Sequence, residues 1–298
     1  MTTQSMPFVA PLARWSARLA LFSVGLLLVT LILHRLGFVS TLLALNLFAV
    51  GCAGGALAVL VGLAAFGQIW LHGHGGGLAV AIGIALPLLA LAVPAGFFAA
   101  TYNLPRINDV TTDLASPPRF VALASRGPGA NPSTYPGPDV GNLQAKAYPD
   151  IRTLVVDRPV DETFEVIEEV ARRMRWNVLT AEVRAGRPPA KSAVLEATDQ
   201  TLIVGFVDDI VVRVDGTNSR ARIDARSASR YGNFDFGQNA ARLRRFLAEV
   251  AMRTDATSPT GIARRRALRN ARTRALLKKQ KARDQQKAAP RTPRGRAQ

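Results

Sequence analysis

Residues 41–100 read TLLALNLFAVGCAGGALAVLVGLAAFGQIWLHGHGGGLAVAIGIALPLLALAVPAGFFAA, and no Asp, Glu, Lys or Arg occurs between residues 36 and 105. A membrane-spanning helix needs about 20 apolar residues, so this run is too long for a single span. The flexible polar tract HGHGGG interrupts it at residues 72–77. The pattern therefore predicts one span at residues 41–69 and a second at residues 78–100.

A further apolar segment lies upstream, at residues 19–38, where only His34 and Arg35 are ionisable. These two side chains and Arg18 can reach the lipid headgroups by snorkelling. A cleaved secretory signal would also place basic residues before an apolar core, but a second long apolar run after it fits that interpretation poorly. We therefore predict three transmembrane helices within residues 17–101, preceded by an N-terminal tail at residues 1–16.

The distribution of arginine around the spans gives a prediction of orientation. Arg14 and Arg18 precede the first span and only Arg35 follows it, which places the N-terminus inside and the large C-terminal part outside. Arg106 and Arg119 follow the third span and argue for the opposite orientation. Both orientations stay open, with the first preferred.

The predicted membrane region contains a pair of glycines and a pair of histidines whose spacing suggests helix packing and metal binding, respectively. Gly51 and Gly55 have the small-xxx-small spacing that lets helices approach closely, and we interpret them as packing residues. His72 and His74 could bind a metal, but a histidine pair without Cys or carboxylate neighbours is an incomplete site. The single cysteine, Cys52, excludes a disulfide framework. We predict no metal site and no cofactor.

The basic residues concentrate at the end of the chain. Of the 298 residues, 38 are Lys or Arg and 21 are Asp or Glu, and residues 251–298 hold fifteen of the former and two of the latter. We predict that residues 253–298 are a disordered tail. By charge alone its partners are anionic lipids or nucleic acid. Because no aromatic residues are interleaved, we do not expect nucleic acid.

Between the spans and the tail, we predict a Pro/Gly-rich connector at residues 102–150 and a small α+β domain at residues 151–252. Prolines and glycines at 117–149 favour an extended chain without helix or interior strand. The apolar periodicity then predicts an antiparallel sheet with helices on one face. The predicted elements are strands at 152–156, 176–183, 193–197, 201–207, 210–214 and 220–226, with helices starting near 161 and 235.

Several motifs of this region resemble one family. They are DDIVVRV at 208–214, ARSASRYG at 225–232, DFG at 235–237, Asn239 and Arg242, flanked by NDVTTD at 108–113, PPRF at 117–120 and QAKAYPDI at 144–151. Over residues 108–250 the chain resembles the bacterial and plastid family known as domain of unknown function 1499. The resemblance brings no established activity. It implies export or membrane anchoring, which favours a bacterial inner membrane and a periplasmic domain. Many relatives carry a Cys pair in the first segment, which is absent here.

An anion-binding site is the candidate ligand site. Arg222 and Arg226 alternate with apolar residues along the last predicted strand, and guanidinium groups suit carboxylates and phosphates. The Ser-Ala-Ser sequence after Arg226 predicts a turn before a helix N-terminus, which can hold an anion. Alternatively, Arg226 and Arg230 pair with an internal carboxylate such as Asp208, Asp209 or Asp235, or Asp235 caps the helix. The candidate ligand-binding residues are Arg222, Arg226, Ser227, Ser229, Arg230, Asp235 and Asn239.

No catalytic residues are predicted. Asp208 and Asp209 are consecutive on a strand and point to opposite faces, and no histidine follows His74. We predict a binding or assembly domain whose partners are membrane lipids and an anionic small molecule or an envelope protein. The alternatives are an envelope enzyme acting through residues 227–235, and a cytoplasm-facing scaffold whose tail binds anionic lipid or RNA.

Overall fold

The computed structural model describes residues 10–185 and 191–257. Within them, three helices are long and apolar enough to cross a membrane: α1 (Pro11–Arg35), α2 (Thr41–His72) and α3 (Gly77–Thr101). The prediction of three apolar N-terminal helices is confirmed. Helix α1 begins six residues before the predicted start at residue 17, because Pro11 at its N-terminus fits the first turn of a helix.

Small residues line the contacts within this three-helix bundle. The Ser16 hydroxyl of α1 donates to the Ala58 carbonyl of α2 over 2.8 Å, and a Cβ added at Gly83 would collide with Ser16. Gly51 and Gly55 are buried in α2. The interpretation of these two glycines as packing residues is therefore confirmed, since close approach of backbones is what small residues permit in membrane helices.

An antiparallel sheet follows the bundle. Its strand order is β1-β6-β5-β4-β3, and β2 also pairs with β6. The strands are β1 (Asp109–Thr111), β2 (Leu154–Val156), β3 (Asn177–Ala185), β4 (Lys191–Gln200), β5 (Val207–Gly216) and β6 (Ala221–Ser229), and the helices are α4 (Pro138–Ala147), α5 (Val160–Arg173) and α6 (Gln238–Thr257).

Helices α5 and α6 cover one face of the sheet, here called the helix face. Alternate residues of β5 and β6, such as Ile210, Val212 and Ile223, pack there against Ile167 of α5 and other apolar side chains of both helices. Trp176 stacks on Phe246 of α6 with ring centroids 5.1 Å apart. The predicted α+β class, with helices on one face of an antiparallel sheet, is confirmed.

The connector at residues 102–150 covers the opposite face, here called the connector face. Phe120 and Leu123 pack on Val211 of β5 and Ala228 of β6. The predicted absence of helix at residues 117–149 is wrong. Pro138 starts α4 rather than breaking it, because proline fits the first position of a helix. Before that stretch, the first part of the connector forms β1.

A second correction concerns residues 201–207, which the β-rich composition predicts as a strand. Residues 201–206 instead form the turn between β4 and β5. The Thr201 hydroxyl accepts from the backbone N–H groups of Gly205 and Phe206, and Gly205 has a φ of +85°. A threonine hydroxyl that bonds the nearby backbone offers an alternative to a sheet ladder, so the chain reverses here.

The domain lies against the end of the bundle where α1 ends, α2 begins and α3 ends. A ring nitrogen of His34, Nδ1, lies 2.8 Å from the Val204 carbonyl oxygen. Arg35 donates to the Gln200 side chain over 2.8 Å. The two contacts join the C-terminal turn of α1 to the end of β4 and to the β4–β5 turn.

Candidate functional site

Strand β6 distributes the predicted site residues over both faces of the sheet. Arg222 and Arg226 lie on the connector face, whereas Ser227 and Ser229 lie on the helix face and contact Asn239 of α6. The predicted turn at residues 227–229 is wrong, because these residues complete β6 and are paired with β5 and β1. The backbone of residues 227–229 is paired within the sheet. The side chains of Ser227 and Ser229 lie on the opposite face from Arg226, so the three cannot contact one ligand together.

Arg226 is buried and joins the sheet to the connector. Its guanidinium pairs with Asp109 of β1 through two bonds, Nε to Oδ1 at 2.9 Å and Nη2 to Oδ2 at 2.6 Å. It also donates to the backbone carbonyls of Pro118 and Ser133 and lies over the ring of Phe120 at 4.7 Å. Internal partners thus accept from four of the five N–H donors of this guanidinium.

Burial dominates the electrostatics around this pair. It raises the pKa of the Asp109 carboxyl, although the hydrogen bonds and charge of Arg226 act in the opposite direction. Burial also raises the pKa of the neighbouring Tyr135 to about 12, helped by the charge of Asp109 and opposed by Arg226. A carboxylate in such an apolar setting requires its guanidinium partner to remain charged.

Asp209 holds two arginines at the same face. Arg230 donates from Nε to Asp209 Oδ1 over 2.8 Å, and Arg126 of the connector forms an ion pair with the other oxygen over 2.8 Å. Burial lowers the pKa of Arg126, while the charge of Asp209 opposes the shift. Arg230 is therefore paired with Asp209, as the structural alternative predicts.

The helix face carries a separate polar cluster centred on Arg242 of α6. Its guanidinium donates to Asp208 (2.7 Å), Asp199 (2.8 Å), Ser227 (3.0 Å) and the Asn239 side-chain oxygen (2.7 Å). The Ser227 hydroxyl in turn donates to Asn239. Within this cluster, the described contacts of the serine are an amide oxygen and a guanidinium, neither of which is a general base for a nucleophile.

Asp235 caps α6. Its two carboxyl oxygens accept from the backbone N–H groups of Gly237 and Asn239, each over 2.8 Å. Burial raises the pKa of this carboxyl, and those two hydrogen bonds oppose the shift. The capping alternative considered from the sequence is confirmed for Asp235.

Arg222 differs from the other predicted residues because its side chain is 51% exposed. It donates to Asp224 and Asp113, which Arg213 also contacts, and to the Thr153 hydroxyl. A cavity of about 300 Å³ adjoins this cluster at Asp113. Its wall consists of Thr112, Asp113, Leu114, Ala115, Gln144, Ala145, Tyr148, Pro149, Ile151 and Arg152.

The arrangement has no evident centre for metal chemistry within the described residues. In residues 10–185 and 191–257, no group of three or more His, Cys, Asp or Glu side chains could hold a metal ion. His72 and His74 stack on each other with ring centroids 5.6 Å apart, at the junction of α2 and α3.

Reasoning from the sequence missed the partners that fix the site. Asp109 lies 117 residues before Arg226, and Glu196 of β4 accepts from the backbone N–H groups of Val121, Ala122 and Leu123. The available signal for Asp109 and Arg242 is that both occur in the family-like motifs, whereas nothing in the local sequence marks Glu196.

The fold and its contacts define an α+β protein with three candidate membrane spans. Residues 109–250 match the sequence model of the family described as "Protein of unknown function (DUF1499)", so the predicted resemblance to this family is confirmed over the sheet, α5 and α6. No curated protein matches the chain with significant similarity.

One solved structure with a weak similarity to the chain is the crystal structure of Zhui aromatase/cyclase from Streptomyces sp. R1128. Its alignment covers 35% of this chain and 84% of that chain at 13% identity, with a TM-score of 0.14. A similarity this weak shows neither a shared fold nor a shared function.

Proposed function

We propose that the chain is a multi-pass protein of the bacterial inner membrane that presents its α+β domain at the periplasmic face as a binding or assembly module. The observation that supports this most strongly is the contact between the domain and one end of the bundle, made by His34 with Val204 and by Arg35 with Gln200. A domain fixed in this way is held at the membrane surface, where it meets envelope ligands.

The orientation rests on the arginines at the start of α1. Arg14 and Arg18 lie in its first turns, and Arg18 lies 5.5 Å from the ring centre of Trp15. Tryptophan and arginine are typical of membrane interfaces, and basic residues favour the cytoplasmic side. Fusions of alkaline phosphatase and of a fluorescent protein after residue 252 test the placement. Phosphatase activity without fluorescence is expected, and fluorescence without phosphatase activity would contradict a periplasmic domain.

The proposed ligand is an anionic small molecule or an acidic surface of an envelope protein. Arg222 supports this, because its guanidinium is exposed and contacts Asp113, which lines a neighbouring cavity together with Arg152. Arg226, which is buried, and Arg230, which is only partly buried, contribute by fixing the sheet and connector around it.

A thermal-unfolding series of the full chain in detergent tests the anion. Phosphate is expected to raise the unfolding temperature of the wild type but not of Arg222→Gln. Arg220→Gln is the matched control, because Arg220 is exposed and lies two residues away. Equal phosphate effects in all three proteins would contradict binding at Arg222.

The two alternatives lead to different observations. An envelope enzyme acting through residues 227–235 requires turnover that is lost in Ser227→Ala or Ser229→Ala. A cytoplasm-facing scaffold requires the opposite topology and a role for the basic tail, of which residues 258–298 lie outside the described part of the chain.

A further inference from the structure

The β4–β5 turn exposes two large apolar side chains. Leu202 is 86% and Ile203 is 73% exposed, although the turn around them is held in a fixed shape by Thr201. The Thr201 hydroxyl accepts from the N–H of Gly205 at 3.1 Å and of Phe206 at 2.9 Å. The turn therefore presents an ordered apolar tip.

This tip lies beside the end of a membrane helix. His34, in the last turn of α1, contacts the Val204 carbonyl oxygen, and its ring centroid lies 5.6 Å from that of Phe206. Ile203 and Leu202 are one and two residues from Val204, so their Cα atoms lie within about 8 Å of this contact. The exposed tip thus lies at the level where α1 leaves the apolar layer.

A second loop of the domain reaches another helix on the same side of the bundle. Phe236 packs against Phe97 of α3 with ring centroids 5.2 Å apart, and against Phe234 at 4.3 Å. Phe97 lies four residues before the end of α3, about 6 Å inside that end. Because Phe236 contacts α3 at this position, the domain extends past the end of the helix along its side. Phe236 has a φ of +54°, an unfavourable backbone conformation for a bulky residue.

We infer that the β4–β5 turn and the loop carrying Phe234 and Phe236 are seated in the interfacial layer of the bilayer that α1–α3 cross. The occupant is lipid because the turn contacts the end of α1 through His34, and the apolar residues that follow there, Leu36 and Phe38, are exposed as well. Apolar groups at this depth are stabilised by burial in the headgroup and acyl boundary. The inference rests on the membrane placement of α1–α3 in the proposed function, and on neither the orientation nor the ligand.

Quenching by brominated lipids tests this in the full chain. In a Cys52→Ala background, Leu202→Cys and Ile203→Cys are labelled with a fluorophore and reconstituted into phosphatidylethanolamine–phosphatidylglycerol vesicles. Leu60→Cys, on the lipid-exposed side of α2, is the positive control, since Leu60 is 63% exposed. Val183→Cys is the negative control, because Val183 is 54% exposed and pairs with Ala193, near the opposite end of β4 from the turn.

The expected result is quenching at positions 202 and 203 that exceeds quenching at 183 at least about twofold, as for segments lying roughly 5–10 Å into the boundary. Quenching at 60 but not at 202 and 203 would overturn the inference alone. Absence of quenching at 60 would overturn the membrane placement itself. Crosslinking of Leu202→Cys between two chains, with no lipid quenching, would identify a second copy as the occupant and also overturn the inference.

Discussion

The two faces of the sheet are stabilised by different chemistry. On the helix face, Ile210 and Ile223 pack under α5 and α6 in an apolar core beside the polar cluster around Arg242. On the connector face, Asp209 and Arg226 alternate with apolar residues of the same strands and contact the connector. The same strands thus serve an apolar and an ionic interface.

The difference follows from what covers each face. Helices α5 and α6 satisfy their own backbone groups and need only apolar contact, whereas much of the connector lacks regular structure, so side chains of the sheet satisfy its backbone. Glu196 accepts from three connector N–H groups, and Arg226 donates to two connector carbonyls. A cluster of charged side chains that resembles a ligand site can therefore instead serve to hydrogen-bond the backbone of an irregular segment.

The cluster around Arg242 on the helix face should show an effect as large as that of the buried pair of Arg226 and Asp109. Arg242→Gln leaves the buried carboxyl of Asp208 without its cation, and we expect a loss of about 3–5 kcal/mol in the free energy of unfolding. Urea unfolding followed by Trp176 fluorescence, in a Trp15→Phe/Trp70→Phe background, measures it. Arg244→Gln is the control, since Arg244 pairs with Asp150 at the surface and should cost about 0–1 kcal/mol. Equal losses of unfolding free energy in Arg242→Gln and Arg244→Gln would contradict the distinction between a buried and a surface ion pair.

A smaller, local effect is expected from Glu196→Gln on the connector face. The amide replaces one acceptor oxygen by a donor facing backbone N–H groups, at a cost of about 1–3 kcal/mol. Hydrogen exchange of residues 121–123 should accelerate by roughly tenfold or more, while exchange in α5 stays unchanged. Glu165→Gln, at an exposed position of α5, is the control. Unchanged exchange at 121–123 would contradict the account.

Acid should weaken the connector face through Asp224. Burial alone would raise the pKa of this carboxyl, but hydrogen bonds from Thr153, Arg222 and Arg213 outweigh it and lower the pKa. The carboxylate therefore stabilises the fold above its ordinary pKa, and this contribution disappears as pH falls through the lowered pKa. In Asp224→Asn, the free energy of unfolding should therefore fall less steeply than in the wild type as the pH is lowered. If the free energy of unfolding of both proteins depends on pH in the same way, Asp224 makes no such contribution.

The smallest effect is expected from Arg222→Gln. The side chain is half exposed and shares Asp224 with Arg213, so the variant should lose only about 0–1 kcal/mol. Thermal unfolding without phosphate measures this. A loss as large as that of a buried pair would remove Arg222 from the proposed ligand site and make it a structural residue.

Periodicity in the sequence was sufficient for much of the fold. Uncharged runs predict the three spans, and alternating or helical spacing predicts β3–β6, α5 and α6. It fails where local composition misleads: prolines hide α4, and serines at 227 and 229 resemble a turn although they face partners on α6. Turn chemistry at Thr201 overrides the β-propensity of residues 201–207.

The candidate site was less predictable because its contacts are distant in sequence. Local spacing predicts that arginines alternate on one face, but it does not predict that Asp109 meets Arg226 or that Arg242 meets Asp208. Local spacing also does not predict that Arg222 is exposed and Arg226 is buried, because this depends on where the connector crosses the sheet.

A double-mutant cycle of Arg226 and Asp109 tests most directly whether the buried arginine of the connector face, Arg226, is structural. The account predicts that Arg226→Gln and Asp109→Asn each cost about 3–5 kcal/mol. It also predicts that the double variant costs less than their sum by about 1–3 kcal/mol, because the two groups interact. Near-neutral single variants, together with loss of phosphate stabilisation in Arg226→Gln, would contradict it and assign Arg226 to a ligand site.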